Sequence, residues 1–154
     1  MTAPDTESTP PLHAHPPRHS ARHDRLPVVA AVALGGATGA TARYAASLWW
    51  PAQPAGFPWP TFWVNVAGCA VIGAFMVLVS QARAAHRLVR PFFGTGVLGG
   101  FTTFSTYAVD VLRLVDAGHP RTALACLAAT VLAALGAVWG GAAATRRLLA
   151  WRRR

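Results

Sequence analysis

Lysine is missing from this chain: all 14 basic residues are arginine. Acids are scarcer still, with Asp5, Glu7, Asp24, Asp110 and Asp116 the only carboxylates in 154 residues. None of the five is expected deep inside an apolar segment. That argues against a small four-helix drug or metabolite exporter, whose proton and cation site needs an intramembrane acid. No embedded acid or histidine is available to activate Ser105 either, so hydrolase chemistry lacks its base and the chain is not read as an enzyme. The two cysteines, Cys69 and Cys126, show neither a C-x-x-C pair nor metal-ligand spacing and read as small apolar packing residues.

What the chain does have is apolar length. Charged residues make up only 12% of it and hydrophobic ones 53%. Four uncharged windows stand out, at 27–42, 61–82, 91–109 and 122–145. A helix crossing the hydrocarbon core needs about 20 residues, with roughly 17 to 25 tolerated. The last three windows reach that length, and the first does if its helix runs past Arg43 toward Trp50. Four helices use nearly the whole chain and leave no room for a soluble domain. The first window also has the marks of a signal peptide, with arginines before it and Ala40-Thr41-Ala42 at its end. Its glycines favour a permanent span: Gly35 with Gly39, and Gly36 with Ala40, form small-xxx-small pairs suited to close helix packing.

The formal charge of +9 invites a nucleic-acid reading, but no basic helix or recognition motif accompanies it. The arginines instead cluster in tails and a connection beside apolar spans, as membrane orientation signals do. Residues 1–26, rich in Pro, Thr, His and charge, read as a disordered tail. His13, His15, His19 and His23 lie there without the fixed spacing of a metal site. The connection 51–60 carries four prolines and is flanked by Trp49, Trp50, Trp59 and Trp63, an interfacial turn. Residues 146–154 form a basic C-terminal tail, which leaves 27–145 as the membrane domain.

The third window holds the most unusual stretch, Gly96-Val-Leu-Gly-Gly-Phe-Thr-Thr-Phe-Ser-Thr-Tyr107. Adjacent glycines followed by a run of hydroxyls suit a lipid-facing helix poorly. Irregular backbone survives within a bilayer only where protein or an aqueous cavity satisfies it, so the stretch reads as a broken helix and a candidate permeation element. Few other polar residues fall in the spans: Thr38, Thr41, Arg43, Asn65 and Thr130. Asn65 marks either an interhelical hydrogen bond or a transported polar species. Arg43 belongs near a helix end or a vestibule, where it attracts anions. Phe104 and Tyr107 share a helical face, and the positive edge of an aromatic ring can face an anion.

Three segments, GGATGATARY at 35–44, VNVAGCAVIGAF at 64–75 and GVLGGFTTFSTY at 96–107, resemble the signature segments of the Fluc-type (CrcB) small fluoride channels, in the family's order. The resemblance implies an all-α membrane protein of four helices with a broken third helix, paired as an antiparallel, dual-topology dimer. It implies passive export of fluoride across the cell inner membrane, with a structural sodium ion held by the backbone carbonyls of Gly99 and Thr102. The fluoride pore then falls to Asn65, Phe104, Ser105, Tyr107 and Thr130, with Arg43 in the vestibule. Tyr107 departs from the family's phenylalanine, and polar residues are sparse in the fourth helix. A non-transporting membrane scaffold is the remaining alternative, although a scaffold has no need of GGFTTFST.

Overall fold

The computed structural model describes residues 20–53, 56–81 and 86–154. Its helices follow in chain order: α1 (Ser20–Trp49), α2 (Trp59–Gln81), α3, a π-wound segment Arg90–Leu98 continued by the α-turn Gly99–Phe101, then α4 (Ser105–Asp116) and α5 (Pro120–Arg152). Three of these are long and apolar enough to cross a membrane: Arg25–Trp49 within α1, then α2 and α5. The third crossing is assembled from α3 and α4 across an interruption at 102–104. Four spans with a broken third is the arrangement the sequence predicts.

The helices form because the chain offers little else. Hydroxyls inside the spans bond to their own helix: Thr38 donates to the Leu34 carbonyl at 2.9 Å, Thr41 to Ala37 at 2.8 Å and Thr145 to Gly141 at 2.8 Å. A satisfied hydroxyl can then sit on an apolar face without an unpaired group. The apolar distribution is inverted relative to a soluble protein. Only Val77, Leu98, Tyr107, Leu114, Ala123 and Cys126 are buried hydrophobics among the described residues, while large side chains such as Leu124 (67% exposed) and Leu132 (69%) face outward. Lipid, not water, is the solvent such a surface fits.

Two glycine seams hold the bundle. Along α1 and α3, a Cβ on Gly39 would strike the Val97 carbonyl oxygen, one on Gly35 the Phe92 carbonyl oxygen, and one on Gly100 the Gly36 carbonyl oxygen. Along α2 and α5, Gly73 meets the Val138 carbonyl and Gly141 the Ala70 carbonyl. Backbones in contact at this range gain dispersion and weak C–H···O contacts that bulkier residues would forfeit. The seam through Gly35 and Gly39 shows that the first window is a working part of the bundle.

Three sequence expectations need adjustment. The helix does not break at the double glycine: Gly99 and Gly100 are α-helical, and the interruption comes at Thr102, whose ψ is 151°. Gly100 serves packing against Gly36, and the break has another cause, described below. The tail expected over 1–26 gives way to helix at Ser20, with Pro27 inside α1; the expectations for residues 1–19, including His13, His15 and His19, lie outside the described residues. The basic tail expected over 146–154 is helical as far as Arg152. At 1.5 Å per residue the 33-residue α5 is roughly 50 Å long, beyond the roughly 30 Å hydrocarbon thickness, so charged turns can project into water.

The seams give a first test. Gly39→Ala should destabilise the full chain in detergent by about 1–3 kcal/mol, because the obstructing atom is a backbone carbonyl. Gly136→Ala, with nothing within 4 Å of its Cβ position, should leave the thermal midpoint unchanged or raise it. Equal midpoints for Gly39→Ala and wild type would remove the α1–α3 seam as a constraint.

Candidate functional site

The interruption is set by one side chain and one hydroxyl. Thr102 N–H makes the last regular bond of α3, to the Leu98 carbonyl at 3.0 Å. The next amide, Thr103 N–H, would in an unbroken helix donate to the Gly99 carbonyl. It donates instead to Asn65 Oδ1 at 2.8 Å, and Asn65 Nδ2 donates back to the Thr103 carbonyl at 2.9 Å. A second diversion follows three residues on: Thr106 N–H, the normal partner of the Thr102 carbonyl, donates to Thr103 Oγ1 at 3.1 Å. The Thr103 hydroxyl thus acts as a capping side chain for α4. Arg43 Nε donates to the Gly100 carbonyl at 3.3 Å.

The consequence is selective. Carbonyls of Leu98, Gly100 and Thr103 find donors, while Gly99 and Thr102 have lost theirs to Asn65 and to Thr103 Oγ1. Those two oxygens sit at the C-terminal end of a half-helix, where the dipole is negative and hard cations are favoured. No group of three or more His, Cys, Asp or Glu able to hold a metal occurs among the described residues.

Two cavities flank the break. One, of about 250 Å³, is lined by Asn65, Cys69, Thr102, Thr103, Phe104, Tyr107 and Thr130, with Val131 and Ala134 beneath. It brings together five of the residues picked out from the sequence. The other, of about 180 Å³, lies on the opposite side of Thr103 and holds Arg43 with Tyr44, Ser47, Thr61 and Thr106. Ser105 lines neither: it is exposed, its hydroxyl 3.3 Å from that of Thr103. Gly99 lines neither as well, and faces open space.

The aromatic pair divides its labour. Phe104 is 79% exposed at the break, whereas Tyr107 is 5% exposed. Their ring centroids are 5.6 Å apart at 57°. The Tyr107 hydroxyl donates to the Leu127 carbonyl at 3.0 Å, tying α4 to α5. The hydroxyl that distinguishes Tyr107 is therefore already satisfied. Thr130 is buried one turn from Cys126, sulfur and oxygen 4.0 Å apart. Both cysteines are free, Cys126 buried in the core and Cys69 on the cavity wall.

One buried pair went unread in the sequence. Asp110 was expected outside the deep parts of the spans, yet its side chain is buried in α4, accepting from Thr61 Oγ1 at 2.6 Å, with Arg113 at 3.8 Å. Because the break restarts the helix at Ser105, position 110 falls one turn beyond Tyr107 and inside the bundle. That spacing was the available signal. The exporter reading therefore cannot be dismissed for want of a buried acid.

Comparison with known proteins decides the family. The family model described as CrcB-like protein, Camphor Resistance (CrcB), matches residues 30–142, which span the described core of the bundle. This chain is a CrcB-family protein. Among its relatives, the "Fluoride-specific ion channel FluC 2" of Streptomyces avermitilis is 67% identical, with 100% of each chain covered. "Fluoride-specific ion channel FluC 1" of Streptomyces coelicolor is 63% identical over 99% of each. A more distant relative from Paracoccus denitrificans, "Fluoride-specific ion channel FluC", is 41% identical over 77% of this chain and 94% of its own. Family membership removes the exporter and scaffold alternatives on firmer ground than any acid count.

The clamp generates the second test. Asn65→Leu strands the Thr103 N–H and carbonyl together, and each buried unsatisfied group costs about 1–3 kcal/mol. Asn65→Asp keeps the acceptor but turns a carboxylate oxygen toward the Thr103 carbonyl. Both variants should melt below wild type in detergent, and amide exchange at 103–106 should rise. A wild-type melting temperature for Asn65→Leu would show that the break holds without its clamp.

Proposed function

We propose that this chain is a subunit of a passive fluoride channel, a multi-pass protein of the cell membrane that lets fluoride leave the cytoplasm and catalyses no reaction. The observation that carries the reading is the cavity beside the break: hydroxyls, an amide and an exposed ring edge surround it, and no carboxylate or imidazole lines it. A small, strongly hydrated anion needs donors in place of water. The Thr102, Thr103 and Tyr107 hydroxyls already donate within the protein, which leaves the Asn65 amide and the Thr130 hydroxyl among apolar walls to supply them. Relatives covering the whole chain carry the name fluoride-specific ion channel, which supports the same conclusion.

Asn65, Phe104, Tyr107 and Thr130 line this path, Ser105 stands at its edge, and Arg43 draws anions into the adjoining vestibule. With its Oδ1 and one Nδ2–H committed to Thr103, Asn65 keeps a second Nδ2–H for the anion. A structural sodium ion fits the two carbonyls of Gly99 and Thr102; bound there, it neutralises the oxygens that the break deprives of donors. Two carbonyls do not complete a hard-cation shell, and a second, oppositely oriented subunit bringing the same pair across a two-fold axis would double them. The open space at Gly99 and the exposure of Phe104 leave room for that partner.

Reconstituted in liposomes, the purified chain with its partner subunit should release fluoride down its gradient without releasing chloride. Phe104→Ile keeps the apolar bulk but loses the ring edge, a contact worth about 0.5–1.5 kcal/mol, so fluoride flux should fall by up to roughly tenfold. Equal chloride and fluoride release, or no flux of either, would overturn the assignment.

Orientation follows from the arginines. By order along the chain, Arg18, Arg22, Arg25, Arg83, Arg87, Arg90, Arg146, Arg147, Arg152, Arg153 and Arg154 flank the four spans on one side and Arg113 and Arg121 on the other, with Arg43 inside α1 near that second side. So large a bias places both termini in the cytoplasm. The antiparallel partner is then a second paralogue of opposite orientation, in preference to an inverted copy of this chain. Topology reporters fused at the C-terminus should give cytoplasmic signal alone; substantial periplasmic signal, or full flux from this chain by itself, would favour the homodimer.

A further inference from the structure

The largest of the described cavities lies away from the pore. It measures about 520 Å³ and opens between the start of α1, the end of α2 and the start of α3. Its walls are apolar, from Val28, Ile72, Phe75 and Met76, and its rim carries Arg87 and Arg90, both exposed. None of the residues that line it is acidic. Gly94 keeps the floor open: a Cβ there would approach the Phe75 ring to 3.3 Å, and a longer side chain would enter the groove.

We propose that this groove binds an anionic phospholipid, its phosphate at Arg90 and Arg87 and an acyl chain along Phe75 and Ile72. Charge and polarity select the occupant together. A free phosphate would use the guanidiniums but gain nothing from the apolar floor, and a neutral lipid would fill the floor but leave the rim unused. The groove opens at the end of the bundle where Arg87 and Arg90 lie and where Arg153 at the end of α5 bonds Gln81 at the end of α2. This step rests on the orientation argued above, which places that end at the cytoplasmic leaflet with its anionic headgroups. Basic pockets between spans on that side are the expected seats for acidic lipids. A lipid wedged there would also brace the π-wound segment Arg90–Leu98, whose far end leads into the break.

The test reads lipid retention and needs no flux. The full chain is released from nanodiscs containing equal phosphatidylglycerol and phosphatidylcholine, and retained lipid is measured by native mass spectrometry. Wild type should keep phosphatidylglycerol in preference. Arg90→Gln should weaken that retention about fivefold, the factor for one arginine at an anionic surface. Gly94→Leu, which leaves both arginines in place, should lower it as well by filling the floor. Equal retention of the two lipids would overturn the proposal. So would wild-type retention in Gly94→Leu, or displacement by soluble glycerol phosphate, since either means that charge alone is at work. A disulfide joining two copies through Gly94→Cys would show that a second chain occupies the groove, and would overturn it too. Because retention is scored apart from transport, a lipid result of either sign leaves the fluoride assignment to its own assay.

Discussion

The Asn65 amide holds the Thr103 backbone by both its polar atoms, and most of the site's chemistry descends from that pairing. A helix interrupted inside a bilayer leaves amides and carbonyls that water cannot reach, each costly if unpaired. Asn65 takes one amide and one carbonyl. In doing so it diverts the Thr103 N–H from Gly99, as the Thr103 hydroxyl diverts the Thr106 N–H from Thr102. The break is therefore tidy rather than loose. The Gly99 and Thr102 carbonyls lose their helical donors, and α4 restarts at Ser105 with Tyr107 and Asp110 buried.

Such a clamp works only if α2 and α3 are held close, which Gly68 permits by meeting the Thr102 and Phe101 side chains, while the glycine seams fix each of these helices to a further partner. Lipid provides no hydrophobic drive between helices, so contact must come from shape. Gly35, Gly39, Gly96 and Gly100 bring α1 and α3 together, and Gly73 and Gly141 do the same for α2 and α5. The two pairs are then joined at the break by Asn65, while the Arg43–Gly100 bond reinforces α1 against α3 and the Thr61–Asp110 bond ties α2 to α4. Polar side chains serve as cross-links between seams made of the smallest residues.

Sequence made the spans legible because length and lack of charge are one-dimensional properties. The Gly35–Gly39 pair was legible for the same reason: a period of four defines a face before any partner is known. The position of the break was not. The double glycine weakens an isolated helix, yet both residues stay helical, with Gly100 packed against Gly36. What interrupts the helix is a contact 38 residues distant in sequence, between Asn65 and Thr103. Asp110 was misplaced by the same token, since its depth depends on where the helix restarts. The family resemblance did carry Asn65, Thr102, Phe104, Tyr107 and Thr130 to a single cavity, which no spacing rule would have assembled.

Three features near the break have no use within a single copy of the fold. Nothing in its own fold requires glycine at position 99: the backbone there is helical, and a Cβ would meet nothing. Phe104 projects at the break with most of its ring uncovered, although the neighbouring Tyr107 is packed and hydrogen-bonded. An oxygen pair with diverted donors, an unneeded glycine and a bare ring all fall within residues 99–104. Each is uneconomical in isolation. On the pairing proposed above, a facing subunit would close on Gly99, add to the oxygen shell and set its wall against Phe104. The charge distribution points the same way, because a chain with so one-sided an arginine count is poorly suited to face an inverted copy of itself.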